Sequence, residues 1–158
     1  MKSLFFSVAL LGLTILQPCF AQDTTRQTQL SPLLRSYYDI KNALITGNTT
    51  SAAEGAEQFV KTANGISHTD LSEGNRDALL KDAGEISEDN NIIHQRELFA
   101  NLSVNMIALA KSFKLSSQPV YKIYCPMKKA YWLSSEPIIK NPYYGSAMLT
   151  CGSVKETL

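Results

Sequence analysis

Between Leu33 and Phe113, apolar side chains recur every three or four positions, the spacing of one face of an α-helix. Four such runs are separated by residues that start or stop helices. The first opens at Ser31-Pro32, an N-cap followed by proline at the first helical position, aligns Leu33, Tyr37, Ile40 and Leu44, and ends at Gly47. The second opens near Thr50 or Ser51, carries the small-residue stripe Ala52, Ala56, Phe59 and Ala63, and stops at Asn64-Gly65. Small residues there predict close approach to a neighbouring helix. The third follows the His68-Thr69-Asp70 loop and aligns Leu79, Ala83 and Ile86, with Gly84 costing about 1 kcal/mol of helix propensity. The fourth, capped within Asp89-Asn90-Asn91, places Ile92, Gln95, Phe99, Leu102, Met106, Leu109 and Phe113 along one seam that only Gln95 interrupts. Short polar connections between four amphipathic helices predict an antiparallel four-helix bundle.

After Lys114 the pattern changes. Five of the seven tyrosines, the only tryptophan, and Cys125 and Cys151 lie between Pro119 and Cys151. Pro119, Pro126, Pro137 and Pro142 forbid a long helix. The reading here is an extended segment from Val120 to Met127, a turn at Asn141-Pro142, and a compact turn from Gly145 to Gly152. The predicted fold is thus mainly α: a four-helix bundle followed by a short irregular or β C-terminal segment that carries Cys and Met.

The first residues are read differently. Lys2, the apolar run Leu4 to Leu16, Pro18 and the Cys19-Phe20-Ala21 site have the order of a secretory signal. The expected organisation is a signal peptide over 1–21, a flexible N-terminus over 22–30, the bundle over 31–114, and a C-terminal segment over 115–158 packed on it as one domain. Cys19 raises a lipoprotein alternative, but Gln17-Pro18 replaces the small residues that normally precede an acylated cysteine. The expected location is the periplasm. Nothing after the signal offers the roughly 20 apolar residues of a membrane helix, so no membrane insertion is expected after cleavage.

The whole chain has 15 basic and 14 acidic residues, and removing Lys2 makes them equal. No basic face for nucleic acid is expected. No nucleophile elbow, zinc-protease helix, phosphate loop or dinucleotide fingerprint occurs, so an enzyme is not expected.

The candidate chemistry is in the sulfurs. In an extended segment Cys125 and Met127 would share a side, and in a helical turn so would Met148 and Cys151. Two such pairs could converge on one ion. Thiolates and thioethers favour Cu(I) over hard ions, and methionine is a poor ligand for zinc. In an exported chain two cysteines are first read as a disulfide, and a Cys125–Cys151 bond, closing a loop of about 26 residues for roughly 3–4 kcal/mol in the chain-entropy model, is the reading that the chemistry alone favours. The methionines would then be ordinary packing. His94, early in the fourth helix, and His68, in its polar loop, read as solvated rather than as ligands. Tyr143 and Tyr144 read as a turn covering the sulfurs or, alternatively, as a surface for a partner.

The blocks Tyr124-Cys125-Pro126-Met127, Tyr131-Trp132-Leu133, Asn141-Pro142-Tyr143-Tyr144-Gly145 and Met148-Leu149-Thr150-Cys151-Gly152 resemble an exported bacterial domain family of unknown function (family 3347 of that kind). Gln95-Arg96-Glu97-Leu98-Phe99 with Leu102-Ser103 resembles the last helix of that family. Its members stand alone or are appended to membrane-fusion (adaptor) subunits of copper and heavy-metal efflux systems. The resemblance implies soft-metal binding, Cu(I) first and other soft ions second, with Cys125, Met127, Met148 and Cys151 as ligands. It also implies an efflux adaptor as partner. One departure is that Lys128-Lys129-Ala130 is shorter than the usual spacer before the tryptophan.

Overall fold

The computed structural model describes residues 20–158. Cys19 and nearly all of the expected signal sequence lie outside the described residues. The order is α1 (Phe20–Thr46), α2 (Thr49–Gly65), α3 (Glu73–Glu88), α4 (Ile92–Ser112), β1 (Tyr121–Cys125), β2 (Ala130–Ser134), a 3-10 turn (Gly145–Met148) and β3 (Ser153–Thr157). Among the described residues no helix is long and apolar enough to cross a membrane.

The four predicted stripes are the buried faces. Leu33, Tyr37, Ile40 and Leu44 of α1, all four stripe residues of α2, and Leu79, Ala83 and Ile86 of α3 are buried. On α4, Gln95, Phe99, Leu102, Met106 and Leu109 are buried, with Ile92 and Phe113 at the ends partly so. Gly55 shows why α2 is rich in small residues: a Cβ there would lie 3.2 Å from the Ile40 backbone nitrogen. The α1–α2 connection needs only two residues. Gly47, at φ +75°, lets its own N–H bond Leu44 O and the Asn48 N–H bond Ala43 O, the pairing of a Schellman cap. The Asn48 side chain then accepts from Ser51 N at 3.0 Å and starts α2.

One boundary differs from the sequence reading. Segment 22–30, expected as a flexible N-terminus, is helical, and α1 runs through Pro32 instead of starting beside it. Proline deprives Thr28 O of its usual helical donor, and the Ser31 hydroxyl approaches that oxygen at 3.4 Å. The extra turns are held from outside. Leu30 is buried, and Arg26 pairs with Asp70 at 3.4 Å while its guanidinium lies over the Phe113 ring.

Gln95, the polar break in the seam, is a junction. Its Nε2 donates to Thr49 O at 3.0 Å, Asp89 O at 2.6 Å and Ile86 O at 3.4 Å, so one amide ties the start of α2 and the end of α3 to α4.

Successive helices pack on one another, but α1 and α4 meet over only a short stretch. The C-terminal segment enters there, with β2 on α4 and the 3-10 turn on α1. Its three strands form an antiparallel sheet in the order β2-β1-β3. Trp132 and Leu133 point to opposite faces of β2 by strand alternation, and both are buried. Tyr37 joins sheet to bundle: its hydroxyl bonds the Ser103 hydroxyl at 2.7 Å and accepts from Leu133 N at 3.1 Å. Its ring stacks on Phe99 with centroids 5.0 Å apart.

Candidate metal centre

Strand register brings the two cysteines together. Tyr124 pairs with Ser153 across β1 and β3, so in an antiparallel ladder the next step sets Gly152 beside Cys125 and brings Cys151 to the start of the β1–β2 turn. Gly152 is required by this approach, because a Cβ there would lie 2.8 Å from Trp132 Cη2 and 3.1 Å from Tyr124 O. The Cys151 thiol lies near enough to Cys125 and to the Met127 N–H for both to shift its proton affinity.

The expected sulfur pairing is corrected here. The extended segment predicted from Val120 to Met127 ends as a strand at Cys125, and residues 126–129 form a tight turn in which Lys129 adopts φ +56°. Strand alternation therefore stops before Met127. Cys125 is 0% exposed, whereas Met127 is 59% exposed at the hairpin tip. The second pair keeps its expected local form, with Cys151 N bonded to Met148 O at 3.1 Å across one turn. Met148 is 39% exposed. Both methionines consequently flank Cys151, each through a backbone contact.

Asn141 organises the site, a role the sequence reading did not assign. It is fully buried, and its Nδ2 donates to Cys125 Sγ at 3.2 Å and to Cys151 O at 2.7 Å. Its Oδ1 accepts from Tyr143 N at 2.8 Å, and its own N–H donates to Leu149 O at 2.8 Å. A second donor to Cys125 Sγ is the Lys128 N–H at 3.4 Å. The available signal was Asn141-Pro142 itself, since asparagine side chains commonly bond the backbone two residues on.

The tyrosine turn packs beside this site. Tyr143 is buried, its ring meets Trp132 edge-on at 5.9 Å, and its hydroxyl donates to Tyr131 O at 2.5 Å. Burial, with a smaller contribution from nearby Cys125, pushes its phenol well above the ordinary range. Burial first, and the adjacent Cys125 second, push the Cys151 thiol up as well, while the Met127 N–H pulls the other way. Cys151 is therefore a neutral thiol near neutral pH, and an ion bound there must displace its proton.

Among the described residues no three His, Cys, Asp or Glu side chains cluster as metal ligands. A soft-ion site here has two thiols at its heart, and thioethers are the remaining sulfur donors. The N–H groups aimed at Cys125, one buried and one partly so, suit a coordinated thiolate, which keeps acceptor capacity after binding a metal. The donor set thus fits Cu(I) in chemistry. The histidines are engaged elsewhere, His94 with Asp89 and His68 with Arg76 at 3.0 Å.

Compared with known proteins, residues 33–118 match the model of the family described as "Protein of unknown function (DUF3347)". The matched region runs from α1 to the loop before β1, more than half of the 158 residues, and stops short of both Cys125 and Cys151. No curated protein and no solved structure matches the chain. The chain belongs to this family of unknown function.

Proposed function

We propose that this protein is an exported soft-metal-binding protein that sequesters or transfers Cu(I) in the periplasm, alone or beside a heavy-metal efflux adaptor. The observation that carries the reading is that the β1–β3 register brings Cys125 and Cys151 close together, with two exposed methionines near them in the chain and N–H donors aimed at the inner sulfur. Cys125 and Cys151 are the principal ligands, because a thiolate brings charge as well as a soft donor. Met127 and Met148 contribute thioethers from the solvent side. Asn141 and the Lys128 N–H orient Cys125 and keep its sulfur hydrogen-bonded.

The test is titration of the reduced protein with Cu(I) against a chromophoric chelator. About one ion per chain is expected, as two thiols make one centre. Cys125→Ser or Cys151→Ser should nearly abolish retention, Met127→Leu or Met148→Leu should weaken it, and His94→Ala should change little. Retention should weaken as pH falls, because protons compete for the thiolates. If the double cysteine variant holds copper as well as the parent, the metal reading is wrong. The same close thiols would then be read as a Cys125–Cys151 disulfide stabilising a protein-interaction module. Intact mass of protein taken from the export compartment, with and without alkylation, distinguishes the two states. N-terminal sequencing of that protein should begin at Gln22.

A further inference from the structure

The two thiols are not equivalent in their surroundings. Cys125 is closed off from solvent at the end of β1, with Asn141 Nδ2 and the Lys128 N–H on its sulfur. Cys151 is partly exposed, and both methionine backbones contact it, Met127 through its N–H and Met148 through its carbonyl. The two exposed methionines are therefore backbone neighbours of the outer cysteine. Asn141 links the two levels, since the same Nδ2 that holds Cys125 Sγ also holds Cys151 O.

We propose that this centre loads in a set order: Cys151 captures an incoming soft ion at the surface, and Cys125, behind it, closes the site as the second ligand. The order rests on the metal-binding reading above but makes a separate claim about access. In the first step the Cys151 thiol releases its proton to solvent and its sulfur replaces one donor atom of the incoming Cu(I) complex. In the second, Cys125 does the same and the remaining donors of the original complex leave. Copper stays Cu(I) throughout, so no oxidant or reductant is required. Release runs the sequence backwards, with Cys151 and its flanking methionines facing an acceptor while Cys125 lets go first.

Stopped-flow mixing of reduced protein with a Cu(I)–bicinchoninate complex follows each step through loss of the complex's absorbance. Cys151→Ser should slow initial capture by about tenfold or more, whereas Cys125→Ser should keep the initial rate within about twofold and then lose the ion to excess chelator. An equal or larger loss of initial rate in Cys125→Ser than in Cys151→Ser overturns the order. Alkylation of metal-free protein by iodoacetamide, followed by peptide mapping, tests access without copper. Cys151 should be labelled first, and Cys125 only slowly until the protein is denatured. Equal labelling rates also overturn the order. If the parent takes no copper from bicinchoninate, the metal reading fails, and the labelling result alone then decides whether Cys151 is the outer thiol.

Discussion

The bundle and the C-terminal segment are stabilised in different ways. Each helix repeats one rule, an apolar face every three or four residues, and the core between the helices is a sum of many interchangeable contacts. The C-terminal segment has short strands and long connections, and it depends on a few polar residues that each serve several elements. Asn141 takes part in five hydrogen bonds that join the sulfur turn, the tyrosine turn and β1. Losing one apolar contact weakens a core by degrees. Losing a polar junction strands several buried groups at once. The comparison teaches that the bundle can serve as a scaffold tolerant of change, while the candidate centre depends on particular side chains.

The strongest test of that contrast is at the contact between the two regions. Phe99 stacks on Tyr37 and also faces Tyr143, with centroids 6.1 Å apart. Phe99→Ala should cost about 3–5 kcal/mol, read as a shift of the denaturant midpoint, because a large buried ring leaves a cavity. A small shift would mean that the core is not shared at this point. Tyr37→Phe should cost less, about 1–3 kcal/mol, through the stranded Leu133 N–H and Ser103 hydroxyl. Its signature should be faster hydrogen exchange at Leu133 with unchanged helical circular dichroism. Equal protection in the variant would show that the sheet is held without this bridge.

The smallest expected effect is on pH dependence. Burial raises the phenols of Tyr37, Tyr38 and Tyr143, and partial desolvation together with the neighbouring Cys125 raises the thiol of the partly exposed Cys151. The folded protein therefore keeps protons that the unfolded chain gives up at the ordinary values, about 8.5 for a thiol and about 10 for a phenol. Their stabilising contribution is complete below those values and is lost progressively as pH rises above them toward the raised folded values. Lys41 acts in the opposite sense, since burial lowers its ammonium and the cost of burying that charge is relieved as pH rises. Four groups against one predict that metal-free, reduced protein loses stability between about pH 8 and about pH 11. A flat midpoint over that interval would contradict the burial of these side chains.

Helical periodicity is local information, so the four stripes, a cap within Asp89-Asn90-Asn91 and the break at Gly47 were legible from neighbouring residues, whereas the second helix, expected to open near Thr50 or Ser51, starts at Thr49 behind the Asn48 cap. The change of character after Lys114 and the importance of Cys125 and Cys151 were legible as composition. Other features depend on partners distant in sequence. Pro32 reads locally as a helix start, yet burial of Leu30 and the Arg26–Asp70 pair extend α1 beyond it. Gln95 reads as a flaw in a seam, and only the convergence of α2 and α3 on its amide makes it a junction. Met127 reads as the partner of Cys125, but the turn after β1 carries it to the surface beside Cys151. The approach of the two cysteines follows from the β1–β3 register, a pairing of residues far apart in the chain, and Asn141, from a separate turn, bonds the Cys125 sulfur and the Cys151 carbonyl. Local spacing determines which way neighbouring side chains point, and only the packed sheet decides which of them meet.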